Sequence, residues 1–261
     1  MTVATARQPV GLLLRQWRER RRISQLELSL QAEISSRHLS FVETGRSQPT
    51  PEMIVRLSEQ LEVPLRERNQ LLLAGGYAPR YPEHSLDAPE LGAVYTGLKS
   101  ILNAHGRNPA LIMNRWWELL DSNTAMRQLI ADVSPELLRP PVNVLRLSLH
   151  PEGLAPRIVN LGQWRAHLLG QLSRRVERTA DGKLTALLDE LRSYPGDDGG
   201  TAAPSDAVLP LRLRVGTADL SFFSIAAAVE TAADVAVSEL VLEAFYPADA
   251  ATADALNAGG G

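Results

Sequence analysis

The stretch SQLELSLQAEISSRHLSFVETGRSQPT, residues 24–50, decides the fold of the first part of this chain. It begins with Ser24, which is followed three residues later by Glu27. This is the spacing of a capping box, in which two side chains satisfy free backbone amides at the start of a helix. The sequence therefore predicts a helix from Gln25 to about Ala32.

A further short helix is predicted after a break of a few residues. Ser35 can cap its first turn, and the helix can continue through Phe41 to Thr44. Gly45 comes next, and glycine most readily takes the left-handed conformation that ends many helices. A pair of short helices with a tight turn between them is therefore expected.

More helices are predicted on both sides of this pair. Before it, large apolar residues recur at helical spacing between Leu12 and Arg21. After it come the helical segments EMIVRLSEQL, residues 52–61, and RERNQLLLAGG, residues 66–76. Five short helices with tight joins indicate a compact all-α domain.

The outer face of the third helix carries side chains suited to DNA. At about 100° per residue, Leu39 and Val42 define its buried side. A helix in the major groove needs small polar residues, an arginine that can reach guanine and an apolar group that can meet a thymine methyl. This helix offers all three: its outer residues are Arg37, Ser40, Phe41 and Thr44, with Ser36 at the N-terminal edge.

The net charge of -3 conceals an uneven distribution. Residues 1–80 contain 12 arginines and 8 glutamates, whereas the remainder holds 15 basic and 22 acidic residues. A positive N-terminal part on an acidic protein favours a polyanion as the partner of that part alone. The alternative is an ordinary solvated run of charge.

The segment SQLELSLQAEISSRHLSFVETGRSQP resembles the helix-turn-helix of the XRE family, the Cro type of repressor. The resemblance covers about residues 9–76 and implies double-stranded DNA as a partner. Dimers of this motif bind two half-sites about one DNA turn apart, so a pseudo-palindromic operator is expected. The residues at the family spacing are Gln25, Glu33, Ile34, Glu43, Gly45, Arg46 and Pro49.

The resemblance also implies roles for individual residues. Contacts to the DNA backbone are implied for Gln25, Ser35 and Arg46. Base readout is implied for Ser36, Arg37 and Phe41, and the helix geometry adds Ser40.

An ion pair between Arg18 and Glu43 is implied as well, and it would hold the third helix against its scaffold. His38 is expected to pack or to contact the DNA backbone. Phe41 has a dimer contact as its alternative role.

A linker is predicted where YAPRYPEHSLDAPEL, residues 77–91, shows three prolines and no periodicity. We therefore place the helix-turn-helix domain in residues 1–76 and a second domain in 92–250. Residues 251–261 form a C-terminal tail.

The second domain is predicted to be α+β with an antiparallel sheet. ALIMNRWWELLDSN predicts two short strands, and NTAMRQLIAD a helix. NVLRLSLHP, in which leucines alternate with polar residues, predicts a half-buried strand. Two helices are predicted around residues 164–172 and 184–191, followed by a polar loop, YPGDDGGTAAPSD. Three consecutive strands follow in VLPLRLRV, DLSFFSIAAAV and SELVLEAFYP.

This order of elements looks like the PAS fold. With RHLSFVETGRSQP, the segments NRWWELLDSNTAM and SELVLEAFYPADAATADAL resemble the MmyB-like regulators, in which an XRE helix-turn-helix precedes a PAS-like ligand-binding domain. AVETAADVAV, residues 228–237, departs from the family, which commonly has a Phe-Gly-Thr-Pro-like segment there. The resemblance implies a hydrophobic cavity and a fatty-acid-like effector. The residues large enough to line such a cavity, or simply to fill it, are Trp116, Trp117, Trp164, Phe222 and Phe223.

The composition and motifs argue against several classes of protein. The chain has no cysteine, and its five histidines show no metal-ligand spacing. No phosphate-binding loop or nucleophile motif is present. No catalytic residue, metal site or cofactor is therefore expected, and the protein is not predicted to be an enzyme. The sequence also lacks the apolar run of a signal peptide or a membrane span, so we expect a cytoplasmic protein without a membrane partner.

Taken together, the sequence predicts a homodimeric transcription regulator, more specifically a repressor, whose second domain senses a small apolar metabolite. In the alternative, the second domain only dimerises or recruits a protein. An enclosed apolar cavity would favour the first reading and a filled core the second.

Overall fold

The computed structural model describes residues 8–196 and 208–258. Its helices are α1 (Val10–Arg20), α2 (Gln25–Gln31), α3 (Ser36–Glu43), α4 (Pro51–Gln60), α5 (Leu65–Ala74), α6 (Gly92–Ala104), α7 (Thr124–Leu129), α8 (Val144–Leu149), α9 (Leu161–Thr179), α10 (Gly182–Ser193), α11 (Val235–Ser238) and α12 (Ala250–Ala258). Its strands are β1 (Ala110–Met113), β2 (Leu119–Ser122), β3 (Leu211–Val215), β4 (Ala218–Ala228) and β5 (Val241–Pro247). The described residues fall into two compact units: those up to His84 together with Thr231–Ser238, and all the others.

The five helices predicted in the N-terminal part are present in the first unit. The hydroxyl of Ser24 accepts a hydrogen bond from the Glu27 amide at 3.1 Å and so caps α2. Ser35 caps α3 in the same way, through the amide of His38 at 3.2 Å. Gly45 follows α3 with a φ of 73°, a value at which a side chain would be strained. The capping residues therefore set the limits of the two central helices.

A close approach of two backbones holds α3 against α1. A Cβ atom at Gly11 of α1 would lie 2.0 Å from the carbonyl oxygen of Val42 on α3, so only glycine fits there. The helices around this contact bury one apolar core. Its fully enclosed members include Leu14, Leu28, Leu39, Ile54, Leu57 and Leu61.

The segment Thr231–Ser238 lies between β4 and β5 in the sequence but belongs to the first unit. The amide of Val235 donates a hydrogen bond to the carbonyl of Pro82 at 2.8 Å. The buried carboxylate of Asp234 accepts bonds from the amide of His84 at 3.1 Å and from its ring Nδ1 at 2.8 Å. The part of the sequence that departs from the family pattern thus provides the short helix α11.

A five-stranded antiparallel sheet organises the second unit, with the strand order β2-β1-β5-β4-β3. Side chains alternate between its two faces. One face packs with α7 to α10 in the larger apolar core, and the other buries Ile112, Leu242 and Ala244 against Leu102 of α6. The α+β class with an antiparallel sheet is therefore confirmed.

The prediction of a strand in NVLRLSLHP is wrong, because Val144–Leu149 forms the helix α8. The alternation arises because this helix is enclosed on several sides. Leu145, Leu147 and Leu149 are all buried in the core, while Arg146 pairs with Glu190 through bonds of 2.7 and 2.6 Å. Apolar residues with a period of two can therefore belong to a short helix when nearly all of its surface is covered.

Two further predictions concern the end of the chain. The predicted C-terminal tail includes α12, which packs on β4, where the hydroxyl of Thr252 accepts a bond from the Ser221 amide at 2.9 Å. Most of the predicted polar loop YPGDDGGTAAPSD lies outside the described residues. No helix among the described residues combines the length and apolar character needed to cross a membrane.

Candidate DNA-binding surface and ligand cavity

The carboxylate of Glu43, at the end of α3, is the centre of a hydrogen-bonded cluster. Arg18 of α1 donates from Nε to Oε1 at 2.7 Å and from Nη2 to Oε2 at 2.8 Å. Gln25, at the first position of α2, donates from Nε2 to the same Oε2 at 2.8 Å. The side chain of Glu43 is 1% exposed and that of Arg18 10%. These contacts tie α1, α2 and α3 together behind the outer face of α3.

The exposed surface of α3 and the following turn places two arginines beside one aromatic ring. Ser36, Arg37 and Arg46 are exposed, whereas Ser40 and Phe41 are half-buried. The guanidinium of Arg37 lies 5.4 Å from the centre of the Phe41 ring, and that of Arg46 lies 5.9 Å from it. Both distances are within the range of a cation–π contact. The ring thus supports both cations on the face that the sequence assigns to DNA.

The remaining residues predicted for this surface are Ser35, Gln25 and His38. Ser35 is exposed and uses its hydroxyl as the cap of α3. Gln25, for which a contact to the DNA backbone was implied, is half-buried and donates its Nε2 to Glu43. His38 is half-buried as well.

Several arginines that make the N-terminal part positive are engaged within the first unit. Arg21 donates to the carbonyl oxygens of Leu61 at 2.8 Å and Glu62 at 3.0 Å. Arg15 pairs with Glu19 at 2.8 Å on the exposed side of α1. A count of charges therefore overstates the number of cations that are available to a polyanion.

An apolar cavity of about 620 Å³ lies between the sheet and the helices of the second unit. This volume falls within the roughly 300–1,000 Å³ of typical small-molecule sites. Residues of β1, β4, β5, α7, α8 and α9 form its walls. Of the five aromatic residues considered in the sequence, Trp117, Trp164 and Phe223 line it.

Trp116 and Phe222 do not line this cavity. The indole Nε1 of Trp116 donates to the carboxylate of Asp181 at 2.9 Å. Phe222 is 1% exposed and fills the core. The structure therefore does not place these two residues in the cavity wall, as the sequence had predicted. A turn and the register of the sheet decide which of two adjacent aromatic residues faces the cavity.

A few polar side chains interrupt the apolar lining of the cavity, and the sequence analysis did not predict them. His167, Gln171 and Arg175 follow one another on one side of α9. Gln171 and His167 are linked at 2.8 Å through their Nε2 atoms. Burial, with a contribution from the nearby Arg174, lowers the pKa of His167. This edge of the cavity is polar and nearly neutral apart from Arg175.

On the opposite wall, Glu243 of β5 and Ser224 of β4 also line the cavity. Burial raises the pKa of Glu243, and the nearby Ser224 hydroxyl offsets part of this rise. The alternation of the predicted strand SELVLEAFYP could have revealed Glu243, since it shares a face with Val241 and Phe245.

The helix-turn-helix unit and the cavity-bearing α+β unit together define a DNA-binding transcription regulator with a ligand-binding domain. The family model of the MmyB-like transcription regulator ligand binding domain matches residues 94–258, and a helix-turn-helix model matches residues 14–68. The chain belongs to the MmyB-like transcription regulator family. A comparison with curated proteins found no match.

Proposed function

We propose that the protein is a cytoplasmic, homodimeric repressor that binds a pseudo-palindromic operator and senses a small apolar, fatty-acid-like metabolite. In this proposal the first unit reads double-stranded DNA with Ser36, Arg37, Ser40 and Phe41, while Gln25, Ser35 and Arg46 contact the DNA backbone. No catalytic step, metal or cofactor is required.

The cavity of the second unit is the observation that carries the sensing part. Its lining is mostly apolar, which suits a ligand whose body is a hydrocarbon chain or ring system. A domain that served only to dimerise or to recruit a protein would have no need of such a space in its core, because empty space forfeits packing energy. The cavity therefore favours a sensor over the alternative of a pure interaction module.

The DNA-reading part is supported by the outer face of α3. Arg37 is exposed there beside Phe41, and the cluster around Glu43 holds the helix from behind. A ligand can control such a protein only by binding one of its conformations more tightly than another. Repression relieved by the ligand would then mean that the ligand favours a conformation in which DNA binds less well.

Native mass spectrometry of the freshly purified protein, set against its denatured mass, tests the proposal. We expect a dimer that releases an adduct of fatty-acid size. Leu168→Trp, which puts a larger ring into the cavity wall, should lose the adduct. The matched control Val159→Trp, at a position that is 40% exposed, should keep it.

A binding assay with the promoter region of its own gene completes the test. A repressor should prefer this DNA to random DNA and should release it when the extracted ligand is added. Equal affinity for both DNAs would refute the operator, and a protein that prefers its promoter but never carries or responds to an apolar molecule would point to the interaction module.

A further inference from the structure

Glu243 occupies an unusual position for a carboxyl group, the middle of the sheet in the wall of the cavity. In the register of the sheet it lies opposite Leu111 of β1 on one side and Ala226 of β4 on the other. All three residues line the cavity, as do Val241 and Phe245 on the same face of β5. The carboxyl group is therefore surrounded by apolar side chains and faces the space that a ligand would fill.

This carboxyl group has little compensation from the protein. Among the described residues, the ion pairs do not include Glu243. Ser224, diagonally across from it on β4, is the polar residue that lines the cavity beside it. A carboxylate removed from water without a partner charge is costly, and such a group tends to keep its proton instead. Burial accordingly raises the pKa of Glu243. It is thus a polar group in the cavity wall that lacks a partner of opposite charge among the described residues.

The polar groups of α9 differ in this respect, because they already have partners. His167 and Gln171 bond to each other, and the guanidinium of Arg175 lies 4.8 Å from the centre of the Trp117 ring. Trp117 comes four residues after the end of β1, whose last residue Met113 is opposite Val241. Arg175 thus contacts a ring that follows β1, the strand paired with β5.

We propose that Glu243, together with Ser224, selects ligands whose polar group donates hydrogen bonds, with an alkylamine as the chemical class that fits best. This inference rests on the proposed function, since it keeps the long hydrocarbon chain of a fatty-acid-like ligand, but it assigns an amine in place of the carboxylate as the head group. The protonated amine would supply the missing positive charge and up to three hydrogen-bond donors, of the kind that a carboxylate accepts. Its hydrocarbon chain would lie along the apolar lining formed by Leu111, Ile130, Leu145, Leu168 and Phe245.

Three probes with the same dodecyl chain separate the head groups: dodecylamine, dodecanol and dodecanoate. Their affinities for the full-length protein are to be measured by isothermal titration calorimetry at neutral pH, where the amine is protonated. We expect the amine to bind roughly ten- to a hundredfold more tightly than dodecanoate, the effect of one hydrogen bond to a charged group. Glu243→Gln, which keeps the shape of the side chain, should remove this preference and change the affinity for dodecanol little.

A matched control accounts for the loss of one negative charge. Glu136 pairs with Arg139 on the exposed surface of the same unit and does not line the cavity, so Glu136→Gln should retain the preference. Ser224→Ala, a second variant at the same site, should weaken amine binding by a smaller factor than Glu243→Gln. Circular dichroism of each variant establishes that it is folded.

Two other results would overturn the inference, and they have different consequences. If dodecanoate binds as tightly as the amine, or if Glu243→Gln retains the preference for the amine, Glu243 does not select the head group, while the proposed apolar ligand stands. If none of the three probes binds the wild-type protein, the result refutes both this inference and the long-chain apolar ligand of the proposed function.

Discussion

Arg18 and Glu43 lie 25 residues apart and join α1 to the end of α3 by two hydrogen bonds of 2.7 and 2.8 Å. The pair is buried, and the bond from Gln25 to the same carboxylate adds α2 to the arrangement. In a buried pair the partners depend on each other, because removal of one leaves the other charge without compensation. The orientation of α3 therefore depends on this contact.

Glu43→Leu and Arg18→Met should each destabilise the protein by about 3–5 kcal/mol, because each leaves one buried charge unpaired. The double variant should lose much less than the sum of the two, since neither charge then remains. Urea unfolding followed by circular dichroism measures all three. Additive losses would show that the two side chains contribute independently and that the pair does not hold α3.

Arg37 and Arg46 contact the same ring but should affect DNA binding in different ways. Arg37→Ala should cost about 1–3 kcal/mol and relax specificity at one base position, because this side chain is assigned to base readout. Arg46→Ala should weaken binding to all sequences alike and reduce the slope of log affinity against log salt by about one, as expected for a phosphate contact. Selection of binding sites from a random DNA pool, with titrations at several salt concentrations, distinguishes the two.

A matched control for the loss of positive charge is Arg15→Ala, since Arg15 is exposed on α1 and pairs with Glu19. It should change neither specificity nor the salt slope by as much as the other two variants. A loss of specificity in Arg46→Ala would contradict the role that we assign to Arg46.

The contact between Asp234 and His84 should depend on pH. Burial raises the pKa of Asp234, but the hydrogen bonds from the ring and amide of His84 and from the amides of Val237 and Ala236 outweigh it, so the net pKa is lowered. A lowered pKa in the folded state stabilises the fold above the unfolded pKa of about 4, and this contribution is lost as the pH falls through the folded value.

Asp234→Asn should therefore weaken the hold on Thr231–Ser238 at neutral pH and make little difference in acid. Hydrogen exchange at the amides of Val235, Ala236 and Val237 measures this directly, and we expect faster exchange in the variant at pH 7. Asp254→Asn, on the exposed side of α12, is the control. A difference that persisted well below the pKa of Asp234 would rule out the carboxylate as its cause.

The sequence was most informative where the structure depends on local chemistry. The limits of α2 and α3 follow from Ser24, Ser35 and Gly45, because a cap needs only the residues within one turn. The sheet strands were equally accessible, since alternation in β3 and β5 reflects their two different faces. These parts of the fold and the outer face of α3 could be predicted from the sequence.

Long-range features could not be predicted in the same way. Which of Trp116 and Trp117 faces the cavity depends on the turn before β2, where Trp117 has a φ of 57°. The place of Thr231–Ser238 in the first unit depends on partners such as His84, which lies 150 residues away from Asp234 in the chain. Neither periodicity nor capping signals contain this information.

The mistaken strand in NVLRLSLHP leads to a last prediction, because the residue that marks it as a helix is Asn143. Its side-chain oxygen accepts bonds from the amides of Leu145 and Arg146, both at 3.1 Å, and its Nδ2 donates to the carbonyl of Trp116 at 2.8 Å. Asn143→Ala should therefore destabilise the protein by about 1–3 kcal/mol, through the lost cap and a partly buried carbonyl without its donor. Asn143→Ser, which restores only the cap, should recover part of this loss, whereas Asn103→Ala on the exposed side of α6 should be near neutral.

Because Val144 and Ser148 of α8 line the cavity, Asn143→Ala should also weaken the binding of an apolar ligand. Equal unfolding curves for Asn143→Ala and the wild type would show that α8 is held by burial of its leucines alone.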